Sequence, residues 1–310
     1  MKLAVPDMIS NSYFPAEAAV ELGFFKSEGL DVALELIYPV DRCYEALRDG
    51  AVDFVGGSAH SVLAAFPEFR HAKLICAQAQ GMYWFLVMHA DLNARRGDIS
   101  VVKGRRIGAA AWVDKGLRQL LIAAGIEPRR DNVTIAPVPG AAPVPGAVVN
   151  FGLTAARALE ERKIDGFWAN GMGAEIAVRG GYGTVVADAR RGAAPEQCFN
   201  YTAPAITASD ALIARSPDTV AAAVRAIVQT QAALKADVSR AGEVGRKLFP
   251  PTEAGLITEL IRRDLPFYDA TLARDFIAGM TAFLRAQGVL QGDVKYEDAV
   301  AAQFAPLWKG

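Results

Sequence analysis

Short apolar runs and helix-like stretches alternate along the first two-thirds of the chain. Residues 2–5 read as an opening strand, after which Asn11 or Ser12 caps a helix with Pro15 in its first turn, running to about Lys26 and stopped by Gly29. Residues 31–38 alternate apolar and other side chains at period two, which predicts a strand. A helix over residues 41–49, a strand over 53–56, a helix over 58–66 and strands over 73–77 and 84–88 follow. A second series repeats the alternation, with strands predicted at 106–110, 132–136, 164–169 and 184–187 and helices at 115–124, 153–162 and 174–179. The chain then returns through residues 205–215, and beyond Pro217 the pattern is purely helical, over about 218–236, 239–248, 252–263 and 271–287. Strands alternating with helices predict βαβ units around mostly parallel sheets, hence an α/β protein.

Two repeats stand out. Ala46, Leu47, Val52 and Asp53 recur at the same offsets as Ala158, Leu159, Ile164 and Asp165, each set marking a helix end that feeds a strand. The same unit therefore appears once per series, unless two βαβ units resemble each other by chance. The second repeat is the hexapeptide Ala-Pro-Val-Pro-Gly-Ala, found at 136–141 and again at 142–147. Its four prolines cannot donate backbone hydrogen bonds, so it is a loop. Lying beyond a strand, it is expected at the carboxyl edge of a sheet, either as a lid or cleft wall or as an inert insertion.

Length turns the two series into two lobes: 310 residues are about twice a typical domain of ~150. Hydrophobic residues make up 52% of the chain and charged ones 22%, enough apolar material for a large core and too much for disorder. The net charge of −1, without a long basic block, gives no footprint for nucleic acid. No apolar run approaches the ~18 residues of a spanning helix, and the N-terminus shows no export leader. Cys43, Cys76 and Cys198 are too scattered for a disulfide framework, and His60, His71 and His89 have no metal-ligand spacing.

Candidate chemistry collects at strand ends. Trp84, Trp112 and Trp168 fall at or just beyond predicted strands, with Tyr13, Phe14, Tyr38 and Phe151 at comparable positions, while Trp308 lies in the tail. Aromatic faces there suit a flat or apolar ligand, although core filling explains any one of them equally well. Polar groups share these positions: Asn11 and Ser12, Asp41 and Arg42, Ser58 and His60, Asp114 and Lys115, and Asn170. Helix N-termini among them would favour an anionic group, and simple capping competes as an explanation for Ser58, Asp41 and Asp114. Ser58 and His60 lie too close in sequence to form a nucleophile and base on one helix, and there is no nucleophile elbow. Cys43, beside Arg42 near a helix start, is a candidate for a lowered pKa, with a structural role the commoner outcome. Gly171-Met-Gly173 and Gly180-Gly-Tyr-Gly183 complete no phosphate fingerprint, so no nucleotide cofactor and no metal are expected.

The run from Phe14 through Gly23-Phe-Phe-Lys-Ser-Glu28-Gly29-Leu-Asp31-Val32, then Ala46 to Phe54, resembles the first lobe of the NMT1/THI5-like and SsuA-like substrate-binding proteins of ABC importers. Lys103 to Gly108, and Ala158-Leu159 with Ile164 to Trp168, are similar to the family's second-lobe signatures, so the resemblance covers about residues 3–215. It implies a type II periplasmic-binding-protein fold: two α/β lobes joined by two crossover hinge strands, with a helical C-terminal tail. Lobe 1 would comprise residues 1–87 and 205–310, and lobe 2 residues 88–204. Matching positions would bring Asn11, Ser12, Tyr13, Tyr38, Arg42, Ser58, His60, Trp84, Trp112, Trp168 and Asn170 to the ligand cleft. Where the family often has Gly/Ser-rich turns, this chain has Pro39-Val-Asp41-Arg42 and Ala109-Ala-Ala-Trp112-Val, bulkier side chains that argue against nitrate or a simple sulfonate. The cysteine-rich iron motif of the yeast-type THI5 enzymes has no counterpart.

The leading expectation is a monomeric binding protein that closes on a small aromatic or heteroaromatic, polar or anionic solute and passes it to an ABC permease. A periplasmic location is expected, the export signal being absent from the sequence, with the cytoplasm as the alternative. The alternative function is a cytosolic decarboxylase or lyase acting on an aromatic acid, with Arg42 or Lys115 holding a carboxylate and His60 or Cys43 moving protons.

Overall fold

The computed structural model describes residues 1–142 and 149–309, so most of the second hexapeptide copy lies outside the described residues. In chain order the strands are β1 (Lys2–Val5), β2 (Ala33–Leu36), β3 (Phe54–Ser58), β4 (Ala72–Ala77), β5 (Phe85–His89), β6 (Arg106–Ala109), β7 (Thr134–Ala136), β8 (Gly166–Ala169), β9 (Gly183–Asp188) and β10 (Pro204–Ser209). The α-helices are α1 (Phe14–Glu21), α2 (Phe24–Ser27), α3 (Val40–Arg48), α4 (Val113–Ala123), α5 (Phe151–Glu160), α6 (Gly171–Arg179), α7 (Asp210–Arg215), α8 (Pro217–Ala236), α9 (Arg240–Leu248), α10 (Pro251–Asp264), α11 (Arg274–Ala286) and α12 (Tyr296–Ala299).

The chain divides into two compact units, residues 1–80 with 202–310, and residues 81–201. The first carries a five-stranded sheet of order β2-β1-β3-β10-β4, in which β1 is parallel to β2 and β3 while β10 runs antiparallel to β3 and β4. The second carries the order β7-β6-β8-β5-β9, in which β6 is parallel to β7 and β8 while β5 runs antiparallel to β8 and β9. The two topologies are the same: in each, the strand in fourth place is the one the chain forms on entering from the other unit. Strand 84–88, assigned from sequence to the end of lobe 1, is therefore β5 of the second sheet. The crossings fall at 80/81 and 201/202, a few residues before the expected 87/88 and 204/205.

The internal echo falls at equivalent places, α3 leading into β3 and α5 into β8. Its aspartates explain why it repeats. The Asp53 carboxylate accepts from the backbone N–H of Lys2 at 2.8 Å, and that of Asp165 from the N–H of Arg106 at 2.7 Å. Each satisfies the first donor of the neighbouring parallel strand, where the ladder would otherwise leave it unpaired.

Several local expectations change. The first helix starts at Phe14 behind Tyr13, so neither Asn11 nor Ser12 caps it, and it ends at Glu21. Gly23, at φ +80°, takes a left-handed conformation that no helix continues through, and the separate short helix α2 follows it. Residues 58–66, expected as an α-helix, form a tighter 3₁₀ turn over Ala59–Ala64. The tail belongs to the first unit: Arg225 and Gln229 of α8 each hold the Glu28 carboxylate at 2.7 Å, and the Trp308 indole donates to the Ile75 carbonyl of β4 at 2.9 Å. Among the described residues no helix is long and apolar enough to cross a membrane.

Candidate functional site

Within the first unit, the parallel strands β1, β2 and β3 deliver their following loops to one sheet edge. After β1, the Asn11 amide donates to the Asp264 carboxylate at 2.6 Å and the Ser12 N–H to the Ser10 hydroxyl at 2.9 Å. Asn11 Oδ1 and Ser12 Oγ are left buried without a hydrogen-bond partner. Glu17, one turn into α1, is completely buried, and neither of its carboxylate oxygens has a hydrogen-bond partner. Burial pushes its pKa well above the ordinary carboxylate value, and the charges of Asp7 and Glu21 push it further in the same direction.

After β2, Tyr38 is half-buried, and its phenol is driven upward by burial and then by Asp7 and Asp41. Arg42 sits in α3 with its side chain 65% exposed and pairs with Glu45 at 3.0 Å. Cys43, one residue on, contradicts the idea of a lowered pKa. Its thiol donates to the Ile37 carbonyl at 2.9 Å, and burial, with the charge of Asp41, pushes its pKa up rather than down.

At the end of β3 the Ser58 hydroxyl lies 2.6 Å from that of Ser61, which lies 3.4 Å from His60 Nε2. His60 Nδ1 is 3.0 Å from the Thr202 hydroxyl, and the ring meets Phe283 edge-on at 5.6 Å. The 3₁₀ turn, which the sequence did not predict, is what joins Ser58 and His60 through Ser61. All three side chains are fully buried.

Capping divides the polar candidates differently from expectation. Ser58 makes no capping hydrogen bond. Asp41 lies inside α3 behind Pro39, and Asp114 lies inside α4, where it holds Arg118 at 2.9 Å. Asn170 is the one of these that caps, its Oδ1 accepting from the Gly173 N–H at 3.0 Å at the start of α6.

Within the second unit, Phe85 of β5 is opposite Ala169 of β8, so Trp84 and Asn170 share one sheet edge. Trp84 and Trp168 meet edge-to-face, with centroids 6.2 Å apart, and Tyr83 stacks obliquely on Trp84 at 4.7 Å. Trp84 also lies against α4, close enough that a Cβ on Gly116 would be 3.5 Å from its ring. Both tryptophans are buried, and the Trp168 indole N–H has no acceptor. Trp112 stands at the start of α4 at φ +67°, with the Lys115 ammonium 5.1 Å above its ring. A cavity of about 390 Å³ opens there, between the ends of β6 and β7 and the first turns of α4. A larger one of about 770 Å³ lies at the opposite edge of the first sheet, among Val52, His71, Asp210 and Arg215, and contains none of the residues expected at a site.

The profile of the NMT1/THI5-like family matches residues 11–239. The chain belongs to that family. The riboflavin-binding protein RibY of Chloroflexus aurantiacus is 24% identical over 98% of this family member and 85% of its own length. Among solved structures, the alkanesulfonate-binding protein SsuA from Xanthomonas axonopodis pv. citri, bound to MOPS, superposes with a TM-score of 0.68 at 13% identity, covering 98% and 97% of the two chains. The desulfurization enzyme DSZB superposes at 0.64 and 17% identity, again covering 98% and 97%. These structures share the periplasmic-binding-protein fold, two α/β lobes, with this chain.

Sequence reasoning missed Glu17 and Arg118. Glu17 is the one charged residue in the otherwise apolar run Phe14 to Val20, a pattern that would have marked a carboxylate on a buried helix. Arg118 follows Asp114 at the i,i+4 spacing of helical ion pairs.

Proposed function

We propose that the chain is the solute-binding component of an ABC importer, taking a small aromatic or heteroaromatic solute with a polar or anionic group and releasing it unchanged. The observation that carries the reading is the family match across 11–239, together with the same strand order in both units. The aromatic character of the solute is supported by Trp84, Trp112 and Trp168, whose large rigid faces gain contact area at little entropic cost. On this reading the protein works as a monomer in the periplasm, its units close on the solute, and a permease receives it. The ligand favours the closed state only as far as it binds that state better than the open one.

The enzymatic alternative has a precedent in the shared fold of DSZB. Its proton carriers are poorly suited here: burial keeps Cys43 a thiol, and His60 is buried with its ring nitrogens beside Thr202 and Ser61. Mass spectrometry of the purified protein tests the choice. Binding predicts a small molecule that is released intact on denaturation and that reduces the radius of gyration when added back. Turnover of that molecule, abolished by His60→Ala, would favour the enzyme.

A further inference from the structure

The cavity at the start of α4 has a chemistry of its own. Its floor is apolar, formed by Ala109 at the end of β6, Ala110 and Ala111 just after it, Ile135 of β7 and Pro137 beyond that strand. Three consecutive alanines leave room where larger side chains would fill it, and about 390 Å³ is at the lower end of the ~300–1,000 Å³ typical of small-molecule sites. Its rim is charged. Arg118 is neutralised by Asp114 at 2.9 Å and tied to the Ile135 carbonyl at 3.4 Å. Lys115 is different: its ammonium rests 5.1 Å above the Trp112 ring, and among the described residues no carboxylate lies within ion-pair distance of it.

The lining thus holds two cations and one carboxylate, leaving one positive charge uncompensated. The N-terminus of α4, an eleven-residue helix, adds a partial positive charge at the same place. An indole face beneath an ammonium that meets no carboxylate offers a planar wall and a counter-ion together.

We propose that this cavity is the subsite recognising the carboxylate-type oxyanion of a planar aromatic solute, with Lys115 as its counter-charge and Trp112 as its ring wall. The proposal rests on the binding reading above and names the chemical class that the reading leaves open. Lys115 then determines specificity, selecting an anionic ring over its neutral counterpart. The ring body lies on the apolar floor, and desolvation there strengthens the single charge–charge contact.

The test compares 2-naphthoate with neutral 2-naphthol by titration calorimetry on the full chain. Wild type is expected to bind the naphthoate at least about ten-fold tighter than the naphthol, a difference of about 1.4 kcal/mol. Lys115→Met, which keeps the aliphatic stem, should abolish that preference while leaving naphthol affinity within about two-fold, because only the charge contact is lost. Trp112→Gly keeps a backbone conformation that glycine adopts freely, so it should fold normally and lose affinity for both probes. Equal affinity of wild type for both probes, no naphthoate binding at millimolar concentration, or an unchanged preference in Lys115→Met overturns the proposal. A co-purifying solute held equally well by wild type and Lys115→Met would remove this subsite yet leave the binding reading intact. Chemical conversion of that solute by the protein would remove the binding reading itself.

Discussion

Replacing Glu17 with Gln should stabilise the protein at neutral and alkaline pH, and the effect should grow with pH. Glu17 is fully buried in α1 with neither oxygen hydrogen-bonded, and the charges of Asp7 and Glu21 raise its pKa further above the ordinary 4.5. A carboxyl group whose folded pKa lies above its unfolded value binds its proton more tightly in the native state. Its contribution to stability is therefore complete below the unfolded pKa and drains away as pH rises toward the folded one. Within that window the loss is about 1.4 kcal/mol for each pH unit, and it stops growing once the folded pKa is passed. Gln has nearly the same shape and does not titrate, so the stability gap between variant and wild type should open at that slope. In thermal terms each kcal/mol is about 2 °C for a chain of this size. Melting wild type and Glu17→Gln in parallel from about pH 5 to about pH 8 measures the gap. Asp7→Asn should move the window to lower pH by removing one of the repelling charges. A gap that stays constant or shrinks as pH rises would refute the reasoning, because it would mean that Glu17 is ionised in the native protein and held by a cation.

Other expectations follow from single contacts. Asn170→Ala removes the side-chain cap of α6 and should cost about 1 kcal/mol in denaturant unfolding, whereas Ser58→Ala removes no cap and should act only through the Ser61 contact. Gly166→Ala would place a Cβ 2.4 Å from the Met88 sulfur and 2.8 Å from the Val87 carbonyl, inside the β5–β8 pairing; a loss of about 1–3 kcal/mol is expected from overpacking. The three cysteines are buried with raised thiol pKa values, that of Cys198 pushed up to about 12, so a thiol reagent at neutral pH should modify them only after denaturation. Rapid modification of native Cys43 would restore it as a candidate for a lowered pKa and for moving protons.

The two-series plan was legible because strands and helices leave different hydrophobic periods, and because βαβ units repeat local signals such as Asp53 and Asp165. What escaped was set by backbone conformation and by contacts distant in sequence. Apolar periodicity continues from Phe14 through Phe25, so the break at Gly23 could not be told from a glycine tolerated within a helix. Nothing in the stretch from Ser58 to Phe66 distinguishes a 3₁₀ turn from an α-helix, and that difference is what threads Ser61 between Ser58 and His60. The sequence placed three tryptophans at or just beyond strands; Trp168 lies in β8, Trp84 just before β5 and Trp112 at the start of α4, and the packing of Trp84 on Gly116 and Trp168 depends on how α4 crosses the sheet. Asn170 and Ser58 were equally good caps by residue type, and only the helix that follows Asn170 uses one.

Whether the protein leaves its solute unaltered is decided by incubating the solute identified from the purified protein with an equimolar amount of the chain, denaturing the mixture and quantifying the solute by mass spectrometry. Binding predicts one equivalent per chain, recovered at its original mass however long the incubation. A new mass that accumulates with time and with protein concentration would contradict it.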